Sequence, residues 1–121
     1  MQYFSNWDEV IQSVKKLPSV QKVVVAAAHE EHVLEAVKKV QDDGLIEPIL
    51  VGDKAKILEI AAKMGMKVKE ADVYDEPDVV KAAELSVQLV REGKGDFLMK
   101  GILETGQLLK AVVNKETGLG Q

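Results

Sequence analysis

The segment 99–107, Met-Lys-Gly-Ile-Leu-Glu-Thr-Gly-Gln, holds the side chains best suited to chemistry in this sequence of 121 residues. It combines the ammonium of Lys100, the hydroxyl of Thr105 and two glycines, Gly101 and Gly106. Backbone N–H groups at the start of a helix, a capping hydroxyl and a nearby ammonium can together hold a phosphate. The segment therefore predicts an anion-binding loop.

Two other interpretations of this loop exist. Its glycine spacing is like that of a nucleotide-binding P-loop, but Gln107 and Leu108 occupy the positions where Lys and Ser or Thr are required, which disfavours a nucleoside triphosphatase. In a purely structural interpretation, Thr105 caps a helix and the glycines only permit the turn. The motif chemistry leaves the structural and the phosphate-binding interpretations open.

Two histidines, His29 and His32, flank a pair of glutamates further upstream. Imidazole and carboxylate groups can act as bases or metal ligands, but a site also needs groups that converge from elsewhere in the chain. We favour a surface role for His32 and keep His29, which is nearer to a strand end, as a secondary candidate. Gly52 is a second such candidate, because glycine lets a ligand approach the backbone. No metal site is predicted, since the acidic residues at 72–78 lack the spacing of a calcium loop.

The elements that must position these residues follow a β-α alternation after one leading helix. That helix spans 7–17, with Ser5 and Asp8 as its capping box. Apolar runs at 23–28, 48–51 and 97–99 predict buried strands, and the more polar run 67–71 predicts an edge strand. Helical patterns follow from about residues 30, 53, 75 and 108.

Strands joined by helical crossovers should be parallel, which predicts an α/β fold: a three-layer αβα sandwich around a mainly parallel sheet. Ligands of such sheets bind outside the carboxyl ends of the strands. The loops at 28–31, 52–54, 72–76 and 100–107 should therefore surround the site.

The composition argues against several classes of binding partner. A net charge of −4 without a basic run argues against nucleic acid, and no stretch has the length or apolarity of a membrane span or the form of a signal peptide. The absence of cysteine excludes disulfides and thiolate chemistry. We expect a soluble cytoplasmic protein.

Several segments in this order resemble a known family. They are Ala-Ala-Ala-His-Glu-Glu-His-Val-Leu-Glu-Ala-Val at 26–37, Glu-Pro-Ile-Leu-Val-Gly-Asp at 47–53, Asp-Phe-Leu-Met-Lys-Gly at 96–101 and Leu-Leu-Lys-Ala-Val-Val-Asn-Lys-Glu-Thr-Gly-Leu at 108–119. The chain resembles the phosphate acetyl/butyryltransferase family, and within it the phosphate butyryltransferase branch.

The resemblance implies a reversible exchange of CoA for inorganic phosphate on an acyl group, with acyl-CoA and phosphate as substrates and no metal or redox cofactor. It also implies a fold similar to that of the isocitrate/isopropylmalate dehydrogenase group, and contacts from Lys100, Gly101 and Thr105 to phosphate or acyl-CoA; no catalytic residue is assigned. The rival functions are a phosphate acetyltransferase, a non-catalytic CoA- or phosphate-binding module, and a structural domain.

Members of that family continue into a second domain, so residues 1–121 are expected to form a single α/β domain, the N-terminal part of a two-domain acyltransferase whose first domain is incomplete. We expect little acyl transfer from this chain alone, to be checked by acyl phosphate formation from butyryl-CoA. Uncovered apolar surface would then favour a homo-oligomer.

Overall fold

The computed structural model describes residues 3, 4 and 6–101. The predicted helix after residue 108 and the candidate Thr105 lie outside these residues. The described chain forms five strands and four α-helices in this order: β1 (Tyr3–Phe4), α1 (Trp7–Val14), β2 (Gln21–Ala26), α2 (Glu31–Asp42), β3 (Ile46–Gly52), α3 (Lys54–Met64), a 3-10 turn (Glu70–Asp72), β4 (Val73–Asp75), α4 (Val79–Arg91) and β5 (Phe97–Lys100).

All the described strands form one parallel sheet in the order β1-β5-β2-β3-β4. The chain adds β3 and β4 on one side of β2 and then returns through α4 to place β5 on the other side. The direction of strand addition therefore reverses between β2 and β5, and such a reversal is where open α/β sheets bind ligands.

Helices cover both faces of this sheet. Residues of α1, α2 and α3, among them Val10, Leu34 and Ile57, pack on one face in a core with Val25. Residues of α4, such as Val87, pack on the other face. The predicted three-layer α/β arrangement is confirmed.

Burial on both faces explains why the central strands show no polar alternation. Val23, Val24 and Val25 are successive residues of β2, they point alternately to the two faces, and all three are fully buried. Branched aliphatic side chains fill most of this space, which is why so few aromatic residues are needed. One aromatic pair, Phe4 and Phe97, packs with ring centroids 5.6 Å apart where β1 meets β5.

The start of α1 differs from the prediction. Asn6, and not Ser5, is the N-cap, because its side-chain oxygen accepts a hydrogen bond from the Glu9 backbone N–H at 2.9 Å. Asp8 lies in the first turn, where its negative charge favours the positive end of the helix. The helix also ends earlier than predicted, at Val14, and leaves Leu17 40% exposed.

The predicted edge strand at 67–71 is wrong. Residues 66–69 have no regular structure, and the edge strand is β4, which pairs with residues 50–52 of β3. Val73 explains this position, because it is buried in the core. The preceding Lys67, Lys69 and Glu70 are exposed, so a strand there would gain little burial.

In the part of the chain that the structure describes, no helix has the length and apolarity needed to cross a membrane.

Candidate functional site

The carboxyl ends of β2 to β5 are joined to one another by backbone hydrogen bonds just beyond the strands. Three of these bonds run from Gly101 N to Ala26 O at 2.6 Å, from Ala28 N to Val51 O at 2.8 Å and from Glu76 N to Gly52 O at 2.7 Å. The loops that follow the strands are therefore held together as one surface, which we call the carboxyl-end edge. It contains two of the loops that the sequence predicted to surround the site, 28–31 and 52–54, and residues 100 and 101 of a third. The predicted loop 72–76 is largely strand β4, and only Asp75 and Glu76 reach this edge.

Gly101 lies directly against the loop that follows β2. A side-chain carbon at this position would come under 3.0 Å from the carbonyl oxygens of Ala26 and Ala27. Backbone atoms in a sheet cannot move away cheaply, so only glycine fits here. The close approach occurs between β2 and β5, where the direction of strand addition reverses.

Ala27, on the other side of this contact, has an unusual backbone. Its φ is 60°, the only positive value among the described residues other than glycine, and its side chain is fully buried. This left-handed conformation disfavours a residue with a Cβ by about 1–2 kcal/mol. Strain of this kind persists where the surrounding structure enforces it, and it is often found at functional sites.

Lys100 is the last residue of β5 and pairs with Ala26 of β2. Its side chain is half-buried. Because side chains alternate along a strand, Lys100 shares a face with Leu98, which packs in the core with α4. The structure thus brings Lys100 and Gly101 to the strand reversal, as two of the predicted site residues.

His29 and Gly52, the two secondary candidates, are in direct contact. The Nδ1 atom of His29 accepts a hydrogen bond from the Asp53 backbone N–H at 3.1 Å. A side-chain carbon on Gly52 would come under 3.0 Å from the same nitrogen, so the ring fits only because residue 52 is glycine. Burial, and then the positive charge of Lys56, lower the pKa of His29, although Asp53 and Glu30 act in the opposite direction.

The carboxylates at this edge already accept hydrogen bonds from backbone N–H groups. They do so at helix starts and turns: Asp53 from Lys56 at 3.2 Å, Asp75 from Lys54 at 3.1 Å, Glu76 from Asp78 at 3.3 Å and Asp78 from Lys81 at 3.1 Å. Within residues 3–4 and 6–101, no group of three or more His, Cys, Asp or Glu residues could hold a metal ion. These acidic side chains organise the loops.

His32 is a surface residue, as favoured from the sequence. Its side chain is 86% exposed, and its Nδ1 lies 3.9 Å from the carboxylate of Glu35 one turn along α2. His32 lies in the first turn of α2, at the carboxyl-end edge, but its side chain is turned to solvent and the pair of histidines does not form a shared site.

The role of Ala27 could not be predicted, because nothing in a run of three alanines marks one of them for a left-handed conformation. The contact between His29 and Gly52 carried only part of a signal, since both residues lie near the ends of predicted strands, but the sequence did not establish that these strands are neighbours. Asp53 N–H as the donor to His29 could not be foreseen, because backbone donors do not appear in a residue pattern.

A groove of about 360 Å³ lies at the opposite, amino end of the sheet. It is lined by Gln41, Ile46, Glu47, Pro48, Lys67, Val68, Lys69 and Asp72. It contains none of the predicted site residues and lies far from the strand reversal. We therefore assign the candidate site by backbone geometry and side-chain chemistry, and not by the presence of a concavity.

Comparison with known proteins identifies a family that matches this chain. Residues 6–100 match the family described as Phosphate acetyl/butaryl transferase. The chain is 45% identical to the phosphate butyryltransferase of Clostridium acetobutylicum over 94% of its own length and 38% of that relative. It is 37% identical to the phosphate acetyltransferase of Thermotoga maritima over 81% of its length and 33% of that relative.

Solved structures of similar fold include a phosphotransacetylase from Streptococcus pyogenes, with a TM-score of 0.66 and 17% identity over 87% of this chain and 40% of that one. A branched-chain phosphotransacylase from Enterococcus faecalis has a TM-score of 0.56 and 23% identity over 79% and 33% of the two chains. The chain therefore spans less than half the length of these relatives.

Proposed function

Because this chain belongs to the phosphate acetyl/butaryl transferase family, we propose that it takes part in acyl transfer between CoA and inorganic phosphate. The proposed reaction converts butyryl-CoA and phosphate into butyryl phosphate and CoA, in either direction. The observation that carries the proposal is the meeting of Lys100 and Gly101 with the strained Ala27 at the reversal between β2 and β5. We assign this carboxyl-end edge to the phosphate.

In this reaction a phosphate oxygen attacks the carbonyl carbon of the thioester. A C–O bond forms and the C–S bond breaks, so that the sulfur leaves with the electron pair and CoA takes up a proton. The exchange involves no net oxidation or reduction, and the proposal therefore requires no redox cofactor. What it does require is that phosphate is oriented and that the charge on the carbonyl oxygen is stabilised.

The proposed residues contribute in different ways. The Lys100 ammonium would attract and orient phosphate. The Gly101 N–H already donates to Ala26 O, so Gly101 contributes a close approach of backbone and not a donor to the ligand. Thr105 is proposed as a hydroxyl donor from the same loop, on the strength of the motif alone.

Transfer of an acetyl group is the second candidate, favoured by the 37% identity to a phosphate acetyltransferase. Because little turnover is expected from this chain alone, the two are separated by comparing the binding of butyryl-CoA and of acetyl-CoA to the chain under the same conditions. A non-catalytic phosphate- or CoA-binding module would bind these molecules and turn over neither.

Calorimetric titration of the chain with inorganic phosphate tests the site. We expect Lys100→Ala to weaken phosphate binding about tenfold, since a charge-assisted hydrogen bond is roughly twice as strong as a neutral one. Lys69→Ala is the matched control, because it removes an exposed lysine at the amino end of the sheet. Equal binding by both variants, or equal loss in both, would overturn the assignment.

We further propose that the protein is cytoplasmic and forms a homo-oligomer. Leu17 and Val20, which are 40% and 49% exposed in the segment between α1 and β2, are apolar side chains that a second copy could cover. Light scattering during size-exclusion chromatography measures the assembly state, and a strictly monomeric mass at high concentration would contradict the oligomer.

A further inference from the structure

His29 links two loops of the carboxyl-end edge. It lies two residues before α2, and its ring reaches the residue before α3, the helix that follows the neighbouring strand β3. The Asp53 N–H, which precedes that helix, donates to the ring at 3.1 Å. His29 is therefore a cross-connection between the loops that follow β2 and β3.

The bond also determines what His29 leaves available. Because Asp53 N–H is bound to the ring, it cannot donate to an anion. The other ring nitrogen, Nε2, lies on the opposite side of the imidazole, and none of the described residues is hydrogen-bonded to it. The geometry thus gives His29 Nδ1 a structural partner, the turn between β3 and α3.

We propose that His29 is a positioning residue whose Nδ1 holds the turn between β3 and α3 against the loop after β2, and that this contact is needed for tight binding of an oxyanion at the carboxyl-end edge. The inference rests on the proposed function, because the oxyanion is the phosphate of that reaction. Gly52 is the second residue that this contact requires, since the absence of a side chain there leaves room for the His29 ring.

Three features make the contact specific. The acceptor must be an unprotonated Nδ1, which in neutral imidazole leaves the proton on Nε2. The end of β3 is held to the loop after β4, because Gly52 O accepts a hydrogen bond from Glu76 N at 2.7 Å. On the other side, Ala28 N donates to Val51 O at 2.8 Å, directly beside His29. These backbone bonds hold residues 51 and 52, and the ring adds the contact that holds residue 53 itself.

Protonation would break the contact, because imidazolium has no acceptor atom. The charged groups that face the ring are Lys56 and Asp53 at the start of α3 and Glu30 at the start of α2. Burial and Lys56 dominate, so the pKa is lowered and the neutral form is favoured in the folded protein. The contact is then fully present above the ordinary histidine pKa of about 6.5 and is lost as pH falls through the lowered value.

Paired substitutions separate positioning from other roles. In His29→Asn the amide oxygen takes the place of Nδ1 and can accept from Asp53 N–H, whereas in His29→Gln the amide reaches the place of Nε2. Sulfate is the probe, because unlike phosphate it keeps the same charge between pH 5 and 8. At pH 7.5 we expect sulfate binding by His29→Asn to stay within about twofold of wild type and that by His29→Gln to fall about tenfold, the value of one hydrogen bond.

The pH dependence provides the second readout. Wild-type sulfate affinity should fall on acidification below pH 6.5, and His29→Asn should lack the histidine-dependent part of that fall. Equal losses in the Asn and Gln variants, or the same acid profile in wild type and His29→Asn, would overturn the inference. Circular dichroism shows whether each variant is folded.

A measurement without any ligand distinguishes this inference from the proposed function. The ¹⁵N shifts of the His29 ring should report a neutral ring protonated at Nε2 at pH 7.5; protonation at Nδ1 would overturn the positioning role. If wild type shows this tautomer but binds neither sulfate nor phosphate, the proposed function fails and with it the oxyanion part of the inference, whereas normal binding with the wrong tautomer refutes His29 alone.

Discussion

The two ends of the sheet differ in how they are built. At the carboxyl end, backbone hydrogen bonds join successive loops, two glycines accept atoms closer than a side chain would allow, and Ala27 is held at a positive φ. At the amino end there is a groove of about 360 Å³ with exposed lysines on its rim. Hollows occur at both ends, since another of about 430 Å³ lies beside Phe4 and Asn6 where β1 ends, so a concavity alone does not locate the site.

The groove has a simple structural origin. Strand β4 is three residues long and pairs only with residues 50–52, so the first half of β3 has no strand beside it on that side. Val68 packs on the core from an irregular segment, and the Gln41 side chain donates to Lys67 O at 2.9 Å. The groove is the space that a longer edge strand would have filled.

The largest effect should come from Gly101→Ala. Its new side-chain carbon would collide with the carbonyls of Ala26 and Ala27, and we expect a loss of about 3 kcal/mol in the free energy of unfolding. Urea denaturation measures it. The control is Gly44→Ala, which meets no described atom within 4 Å and should lose only about 1 kcal/mol through its φ of 74°. Similar losses in both variants would show that tight packing at Gly101 does not distinguish the carboxyl end of the sheet.

Gly52→Ala should have the next largest effect. The closest contact of the added carbon is with the movable His29 ring, and it also comes within 3.2 Å of the Ala28 backbone nitrogen, so we expect a loss of about 1–2 kcal/mol and displacement of His29. A double-mutant cycle with His29→Ala checks the cause, because removing the ring should make the substitution at residue 52 less harmful. Additive losses would mean that the strain comes from elsewhere.

A smaller effect is expected in the pH dependence of stability. Because the pKa of His29 is lowered in the folded protein, the unfolding free energy should decrease as pH falls from about 6.5, since the unfolded chain binds the proton more readily. The measurement is urea denaturation between pH 5 and 8, with His29→Asn as control. Parallel curves of unfolding free energy against pH for the two proteins would show that the neutral form of the His29 ring does not contribute to stability.

The smallest effects should occur at the amino end. Lys67→Ala and Lys69→Ala remove exposed side chains from the groove, and each should change the unfolding free energy by no more than about 0.5 kcal/mol. A loss above 1 kcal/mol in either variant would mean that the groove is a built part of the fold and not a by-product of the short β4.

Much of the fold follows from the apolar pattern, but its edges do not. The run Val23 to Val25 predicts a buried strand because both of its faces must be covered. The position of the edge strand was wrong because 67–71 and 73–75 are both short, and what decides between them is the burial of Val73, a tertiary contact. Strand β1 was missed because two residues carry no periodicity.

The candidate site was predictable to a similar extent. Lys100 and Gly101 follow a buried strand, and parallel strands place such residues at one edge. The conformation of Ala27 depends on what packs around it, and no residue type announces it. The pairing of His29 with Gly52 required the order of strands as well as their existence, because β2 and β3 must be neighbours for the ring to reach the turn.

The most direct test of the central claim is a map of backbone amide shifts during titration of the ¹⁵N-labelled chain with phosphate. We predict that the largest changes occur at residues 27–29, 52–53 and 100–101, at the carboxyl-end edge, and that residues 67–69 at the groove barely change. Larger changes at 67–69 than at 100–101 would contradict the assignment of the phosphate to the carboxyl-end edge.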